Sequence, residues 1–228
     1  MEKQKYTAIV LAAGSGKRMN SKVYKQYLII QDRPVLYYSL KAFEDSAVDE
    51  IVLVVGKGEE KFCRKEIVDK YGISKVKAIV EGGKERYHSV FEGLKQTSDA
   101  DYVLIHDGAR PFVNQDIIRR CMQEVQKYQA CVVGMPVKDT IKIADEEGYA
   151  KQTPDRKNVW MIQTPQTFSY ALIYEAYEEM LKTEDAAITD DAMVLERTKG
   201  KKSKLIEGSY RNIKITTPED LLIANVYL

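Results

Sequence analysis

A glycine-containing loop rich in positive charge follows the first strand-like stretch of the sequence. The loop, LAAGSGKRM at residues 11–19, includes Lys17 and Arg18, and Lys22 and Lys25 follow within a few positions. Glycines and small side chains let the backbone approach a ligand closely and point its amides at anionic oxygens. Four cations on such a loop suit a triphosphate. The spacing is neither Walker A nor G-x-G-x-x-G, so a glycine turn with solvated lysines stays open as the alternative.

A glycine pair begins a second motif, GGKERYHS at residues 82–89, after the third strand-like run. Glycines just before a helix permit close approach of the backbone, in this case to a flat base. A plain helix-initiating turn is the alternative, and the motif alone favours it.

The third motif is HDGARP at residues 106–111, after the fourth strand-like run. Asp107 would stand at the carboxyl end of a buried strand, where it can hold Mg²⁺ on nucleotide phosphates. Arg110 can clamp an oxyanion through paired N–H groups. An Asp–Arg ion pair in a structural turn explains the same residues.

Further polar motifs occur in the second half of the chain. They are PVKDT at 136–140, TPDR at 153–156, QTPQ at 163–166 and EGSYRNIKIT at 207–216. The last predicts a strand in which Lys214 points away from the side taken by Ile213 and Ile215. If both isoleucines are buried, Lys214 faces a cleft or solvent.

The elements that must position these motifs follow an alternating pattern. Strands are predicted at 7–11, 51–55, 77–80, 102–105 and 131–135, and helices around 34–43, 59–71, 86–97 and 115–128. Nearly continuous apolar strands are typical of parallel sheets covered on both faces. The pattern predicts an α/β, Rossmann-like three-layer sandwich with a mostly parallel sheet and right-handed crossovers. Ligands of such sheets bind at the carboxyl edge.

Residues 137–160 interrupt this alternation. The segment is polar, contains Gly148 and Pro154, and is long for a plain connection. We interpret it as a protruding β-arm, with a surface loop as the alternative. Beyond it, Thr189 is a candidate helix cap, and Thr217 with the proline after it is another. No linker or repeat is visible, which predicts one domain over residues 1–228 with the arm at about 137–160.

The bulk composition excludes several function classes. The 228 residues contain 35 Lys plus Arg and 34 Asp plus Glu, a net charge of +1, which argues against a general nucleic-acid or membrane-surface binder. Cys63, Cys121 and Cys131 show no zinc-ligand spacing, and such dispersed cysteines are typical of buried, reduced thiols. No stretch reads as a signal peptide or membrane span, so we expect a cytoplasmic protein.

Taken together, the motifs resemble the 2-C-methyl-D-erythritol 4-phosphate cytidylyltransferase family of the non-mevalonate isoprenoid pathway. HDGARP, PVKDT, QTPQ and NIKITTPEDL in one chain are far more specific than any single loop. The resemblance runs in order from Leu11 to the terminal helix. It implies a fold of the nucleotide-diphospho-sugar transferase type, CTP as co-substrate, a divalent cation (Mg²⁺), and a homodimer in which the arm embraces a second subunit.

The resemblance also implies roles for individual residues. The expected catalytic residues are Arg18, Lys25, Lys214 and Arg156. The expected nucleotide site is formed by Ala12, Ala13, Gly14, Gly16, Gly83, Lys84, Ser89 and Asp107. The sugar-alcohol phosphate would meet Asp107, Arg110, Thr140, Arg156, Thr164 and Lys214, with Thr140 and Arg156 serving the neighbouring subunit's site. Asp107 is the expected metal ligand.

Two positions depart from the family pattern. Tyr24 stands where a proline is usual, so the loop carrying Lys25 could be less stiff. Lys84 stands where many members have an acid, so base recognition there should rest on backbone groups. Neither departure removes a catalytic group.

The implied reaction is in-line attack of a phosphate oxygen on the α-phosphorus of CTP, with release of pyrophosphate. An anionic nucleophile needs no general base, and cations can supply positioning and charge stabilisation. The nearest alternative is a ribitol 5-phosphate cytidylyltransferase. A second alternative is a non-catalytic nucleotide-binding dimer. The presence of Arg18, Lys25 and Lys214 argues against it, because such a protein would be expected to have lost them.

Overall fold

A seven-stranded sheet forms the centre of the computed structural model, which describes residues 3–14, 23–183 and 188–228. Its strands in chain order are β1 (Tyr6–Ala12), β4 (Glu50–Val55), β5 (Val76–Glu81), β6 (Tyr102–Asp107), β7 (Ala130–Pro136), β10 (Trp160–Ser169) and β11 (Lys204–Glu207). Two small ladders pair β2 (Ile29–Ile30) with β3 (Arg33–Pro34), and β8 (Ile143–Ala144) with β9 (Ala150–Gln152).

The sheet order is β11-β7-β10-β6-β1-β4-β5. Only β10 among these strands runs against its neighbours, pairing antiparallel with both β6 and β7. The chain leaves β1 for β4 and β5 on one side, then returns to β6 on the other. This reversal creates a topological switch point between β1 and β6, where open α/β sheets bind ligands.

Helices cover both faces of the sheet. They are α1 (Val35–Glu44), α2 (Glu60–Cys63), α3 (Arg86–Leu94), α4 (Gln115–Tyr128), α5 (Tyr170–Thr183), α6 (Asp191–Lys199) and α7 (Pro218–Tyr227). Alternate strand residues face opposite layers: Leu104 packs in the cluster with α1, α2 and α4, whereas Val103 and Ile105 pack in the cluster with α3, α5 and α6. The predicted three-layer α/β sandwich is therefore confirmed.

Several local predictions hold for clear physical reasons. Helix α4 has the predicted bounds, with Asn114 capping its start through a bond from Ile117 N. Helix α7 begins with a capping box between Thr217 and Asp220 and a proline in its first turn. All three cysteines are free and buried.

Other local predictions were wrong. The predicted helix over 59–71 is α2 followed by a π-helical segment, Arg64–Asp69. The cap of α6 is Asp190, whose carboxylate accepts from Met193 N, and not Thr189. Residues 208–216 form no strand. Ile215 is nevertheless fully buried, and its backbone N–H donates to Ala109 O. The buried Ile215 therefore still follows a partly exposed Lys214, although no strand pairing holds the segment.

Strand β10 was not evident from the sequence. Its QTPQ segment is polar and contains Pro165, which follows a cis peptide bond, and its register shifts between Ile162 and Gln166. These polar residues are buried because their side chains bond to other elements, as the site shows below. An apolar-periodicity argument misses such a strand.

The predicted arm is a hairpin whose residues lie largely exposed to solvent. Strands β8 and β9 pair across a turn in which Gly148 has φ +87°, and Asp145 accepts bonds from the backbone of Glu147 and Tyr149. Lys142 Nζ donates to Thr153 Oγ1 across the hairpin. None of the helices in the described ranges is both long and apolar enough to cross a bilayer.

Candidate active site

A cavity of about 350 Å³ lies at the switch point, where β1 and β6 end. It is lined by Leu11, Ala12, Ala13, Gly14, Lys25, Gln26, Gly83, Lys84, Glu85, Arg86, Ser89, Asp107, Ala109 and Lys214. The first, second and third sequence motifs thus meet around one space. The meeting follows from the topology, because the carboxyl ends of parallel neighbours share one edge of the sheet.

One wall of this cavity is made of small residues held close together. A Cβ atom on Gly82 would lie 2.6 Å from both Ala13 Cβ and Ser89 Oγ, so only glycine fits there. On the other side of Ala13, the buried Gln26 donates from Nε2 to Ala12 O at 2.6 Å. The wall therefore offers backbone groups in a fixed arrangement, which suits close contact with a nucleotide.

The start of α3 forms the adjoining wall. Its capping box joins Glu85 and His88, so His88 has a structural role, with its Nδ1 accepting from Glu85 N. The Ser89 side chain is buried and lies within bonding distance of Gly83 O and Glu85 O. The positive end of this helix adds favourable potential for an anion in the cavity.

Asp107 lies among three cations at the floor of the cavity. Its Oδ2 is 2.8 Å from Lys214 Nζ and 3.7 Å from Arg110 Nε, and its Oδ1 is 3.5 Å from Arg86 Nε. Burial alone raises the pKa of this carboxyl, but Lys214, Arg86 and Arg110 hold it well below its ordinary value. The group is therefore ionised and unsuited to act as a general base near neutral pH.

A second cavity, of about 310 Å³, adjoins the first and shares Arg86, Asp107 and Lys214 with it. Its other lining residues are Arg110, Ile162, Gln163, Thr164, Gln166, Thr189 and Asp190. The guanidinium of Arg110 is anchored by Nη1 donating to Asn212 O at 2.9 Å. Its buried Nε has no hydrogen-bond partner among the described residues, which leaves a donor for a ligand here.

The side chain of Thr164 connects the two motifs beneath this cavity. Its Oγ1 accepts from Asp107 N at 3.1 Å and lies 3.0 Å from His106 Nδ1. The other ring nitrogen of His106 lies 3.2 Å from Arg110 O. Burial lowers the pKa of His106 to about 4, so the neutral ring accepts from Thr164 and donates to Arg110. The histidine thus fixes the motif instead of taking part in proton transfer.

The structure brings most of the candidate residues to these two cavities. Ala12, Ala13, Gly14, Lys25, Gly83, Lys84, Ser89, Asp107 and Lys214 line the first, and Arg110 and Thr164 line the second. Arg18 and Gly16 lie outside the described residues.

Thr140 and Arg156 line neither cavity. Both are exposed on the arm, where Arg156 Nη1 donates to Lys138 O at 3.2 Å.

The donor set decides whether Mg²⁺ fits. Across the described ranges, no group of three or more His, Cys, Asp or Glu side chains is placed to hold a metal. Within the described residues, however, the contact of Asp107 Oδ1 with Arg86 Nε is long, at 3.5 Å, so this oxygen retains a lone pair for a cation. That fits an Mg²⁺ bound mainly by phosphate oxygens with one carboxylate, the arrangement this ion favours at nucleotides.

Sequence reasoning missed several residues of the site. Arg86 and Asp190 line the cavities, and Asp191 binds Arg86 from a fully buried position. Gln163 is also buried and donates to Ser209 O, which ties β10 to the loop carrying Lys214. The one available signal was an arginine three residues after a glycine pair, at a helix start.

Comparison with known proteins decides the family. The model of the family "IspD: 2-C-methyl-D-erythritol 4-phosphate cytidylyltransferase" matches residues 6–228. The chain belongs to the 2-C-methyl-D-erythritol 4-phosphate cytidylyltransferase family.

Named relatives agree along the whole chain. The chain is 52% identical over 225 residues to the 2-C-methyl-D-erythritol 4-phosphate cytidylyltransferase of Lachnoclostridium phytofermentans, covering 99% of this chain and 97% of that one. It is 54% identical over 224 residues to the protein of the same name from Lachnospira eligens, with 97% and 98% covered.

Solved structures confirm the fold. The chain is similar to the crystal structure of 4-diphosphocytidyl-2C-methyl-D-erythritol synthase from Anaerococcus prevotii, with a TM-score of 0.86, 38% identity, and 98% and 96% of the two chains covered. The corresponding enzyme of Thermus thermophilus gives a TM-score of 0.79 at 30% identity, with 98% of each covered.

Membership in this family makes the chain a nucleotidyltransferase that uses CTP. The tyrosine at position 24, where the family usually has proline, has a backbone conformation that is compatible with either residue. Tyr24 has φ −62° and ψ 140°, a conformation that proline also adopts, and it precedes the 3₁₀ turn Lys25–Tyr27.

Proposed function

We propose that this chain transfers CMP from CTP to 2-C-methyl-D-erythritol 4-phosphate, with the nucleotide in the first cavity and the sugar-alcohol phosphate in the second. The observation that carries the proposal is that the two cavities adjoin and share Asp107 and Lys214. A backbone-lined wall next to a cation-rich space fits a base with its triphosphate on one side and a phosphate acceptor on the other.

The residues of the chain divide the work of transfer between them. A phosphate oxygen of the acceptor attacks the α-phosphorus of CTP, the bond to the β-phosphate breaks, and pyrophosphate leaves. Lys25 and Arg18 stabilise charge on the α-phosphate, while Lys214 holds the acceptor where the cavities meet. Two anions must approach one another in this step, so fixed cations are the main source of rate enhancement.

Asp107 has two functions in this proposal. It fixes Lys214 through their 2.8 Å contact, and its Oδ1 would hold Mg²⁺ together with phosphate oxygens. When bound, the ion would neutralise phosphate charge. Arg110 and Thr164 complete the acceptor cavity, and Arg110 Nε makes no short hydrogen bond within the described residues, its contact with Asp107 Oδ2 being 3.7 Å.

We further propose that residues 1–228 form one cytidylyltransferase domain that works as a homodimer through the arm at 137–160. Support comes from the exposure of Thr140 and Arg156 on a hairpin apart from both cavities of their own chain. Exposed polar residues on such a hairpin can bind a substrate when they face the site of a second copy of this chain. In a two-fold dimer each arm would reach the site of the other chain. We also infer a cytoplasmic enzyme, in keeping with three free cysteines.

The first experiment measures pyrophosphate release from CTP and Mg²⁺ with methylerythritol phosphate or ribitol 5-phosphate as acceptor. Release with methylerythritol phosphate, at a much higher kcat/KM than with ribitol 5-phosphate, is the expected result. Preference for ribitol 5-phosphate would keep the nucleotide site and the mechanism but overturn the acceptor. Absence of pyrophosphate release with both acceptors would overturn the proposed reaction. CTP binding measured by calorimetry would then test the nucleotide site alone.

A further inference from the structure

Asp191 is a fully buried carboxylate at the edge of the candidate site. It occupies the first turn of α6 and accepts both ends of the Arg86 guanidinium, at 2.8 Å to Oδ1 and 2.9 Å to Oδ2. The buried hydroxyl of Tyr177 on α5 also donates to Oδ1, at 2.6 Å. The backbone N–H of Asp191 donates to Gln166 Oε1 on β10 at 3.0 Å. Three helices therefore meet at this one side chain, and β10 bonds to the backbone of the same residue.

Arg86 is the only one of these partners that lines both cavities. It is the first residue of α3, and its third guanidinium nitrogen, Nε, lies 3.5 Å from Asp107 Oδ1. A guanidinium is planar and rigid, so fixing its two terminal nitrogens also fixes the direction of Nε. The geometry makes Arg86 a rigid bridge between a buried carboxylate and the one at the cavity floor.

The balance of charge around Asp107 depends on this bridge. Lys214, Arg86 and Arg110 all lie within 4 Å of the Asp107 carboxylate. Asp191 accepts one hydrogen bond from each terminal nitrogen of Arg86 and so holds these nitrogens away from Asp107. This leaves Asp107 Oδ2 paired with Lys214. Without Asp191, the guanidinium would turn toward the nearest remaining carboxylate, and it would then compete with Lys214 for Asp107.

We propose that Asp191 is a positioning residue of the transfer reaction: through Arg86 it fixes Asp107, and through Asp107 it places Lys214 between the two cavities. The inference rests on the proposed function of this site. A purely structural anchor between α3 and α6 would not need charge at all. Buried ion pairs cost desolvation free energy, and well-packed apolar residues stabilise a core as well or better. A charged pair kept beside the cavities is explained by what it holds in place.

The principal test replaces Asp191 by Asn, which keeps the shape but loses the charge and one acceptor. We expect kcat/KM for methylerythritol phosphate to fall by about 100-fold, the size of loss that an ångström-scale misplacement causes. The Kd for CTP, measured by calorimetry, should rise by a smaller factor than kcat/KM falls, since Asp191 itself does not line the nucleotide cavity and acts there only through Arg86. A matched control is Asp116→Asn, which removes the carboxylate from an exposed Arg119 pair on α4 and should leave both values unchanged.

A double-mutant cycle separates positioning from a structural role. If Asp191 acts through Asp107, adding Asp191→Asn to an Asp107→Asn variant should cause little further loss of kcat/KM. Independent effects would multiply, and multiplication would overturn the inference. So would wild-type kcat/KM in Asp191→Asn. Both outcomes are distinct from failure of the proposed function, which would leave the wild-type protein itself without pyrophosphate release.

A second variant keeps the inference testable if Asp191→Asn does not fold. Arg86→Lys retains a cation but cannot hold two carboxylates in a fixed geometry, and Tyr177→Phe removes only one bond from Asp191. We expect a large loss of kcat/KM in the first and a loss of a few-fold in the second. If Arg86→Lys and Tyr177→Phe both fold and both have the kcat/KM of the wild-type protein, the inference is overturned.

Discussion

The floor of the cavities and the arm carry similar side chains in opposite surroundings. At the floor, Asp107 and Arg110 are each only slightly exposed and contact named partners from distant segments. On the arm, Thr140 and Arg156 are exposed, and the Arg156 side chain donates to Lys138 O of the same hairpin. The first region is organised by its own chain, whereas the second lacks an opposing surface within the described residues of that chain.

This difference teaches how two kinds of site residue can be told apart. A charge that the fold desolvates and pairs is already held in place before a ligand arrives, which lowers the cost of binding and reaction. An exposed charge on a hairpin gains little from its own chain, because solvent screens it. It becomes effective only when another surface excludes the water. Each prediction below tests one side of this contrast.

The largest expected effect is at a cation that lines the first cavity. Lys25→Ala should lower kcat about 100- to 1000-fold, because removing one charge-stabilising donor from such a site has that cost. The free energy of unfolding, from urea titration, should change by less than about 0.5 kcal/mol. The matched control is Lys202→Ala, an exposed lysine between α6 and β11, which should alter neither. Near-normal turnover in Lys25→Ala would contradict the assigned role.

A smaller effect is expected on the arm. Arg156→Ala should raise KM for methylerythritol phosphate about 10- to 100-fold, the value of one or two charged hydrogen bonds, with CTP affinity intact. Lys151→Ala, which removes an exposed cation from β9 of the same hairpin, is the control and should leave KM unchanged.

Mixing the two variants tests whether the arm works across subunits. In a mixed dimer of Lys25→Ala and Arg156→Ala chains, one site combines both defects and the other has neither. At an acceptor concentration well below the KM of Arg156→Ala, an equal mixture should therefore recover about one quarter of the wild-type rate, given random pairing in a two-fold dimer. No recovery after verified subunit exchange would mean that the site is built within one chain.

The smallest expected effect compares two glycines with left-handed backbone. Gly148 in the arm has φ +87° and Gly200 at the end of α6 has φ +61°, and a Cβ on either would meet no atom within 4 Å. Alanine should therefore cost about 1 kcal/mol at each by backbone strain alone. For Gly200→Ala we expect that loss in the global free energy of unfolding. For Gly148→Ala we expect the strain to stay in the arm, so that KM for the acceptor rises less than in Arg156→Ala. If both glycine variants lower the global free energy of unfolding equally, the arm is part of the folding unit.

The sequence by itself determined the parts and their local order. Continuous apolar runs predicted the strands that form β1, β4, β5, β6 and β7, because their periodicity is a property of neighbouring residues. The loop after β1, the glycine pair at 82–83 and Asp107 each came at the end of such a strand, so their convergence at one edge followed from the α/β pattern. The motifs also indicated the family, which the comparisons confirmed.

Only the tertiary structure decided which distant side chains share a site. Arg86 and Asp191 lie 105 positions apart, and no local pattern marks them as partners. Polar β10 enters the sheet because Gln163, Thr164 and Gln166 find bonding partners on other elements, whereas periodicity alone reads such residues as a loop. Lys214 reaches Asp107 from a segment without strand pairing, held by the burial of Ile215. Such contacts depend on strand order and packing, which are set by the whole chain and not by neighbouring residues.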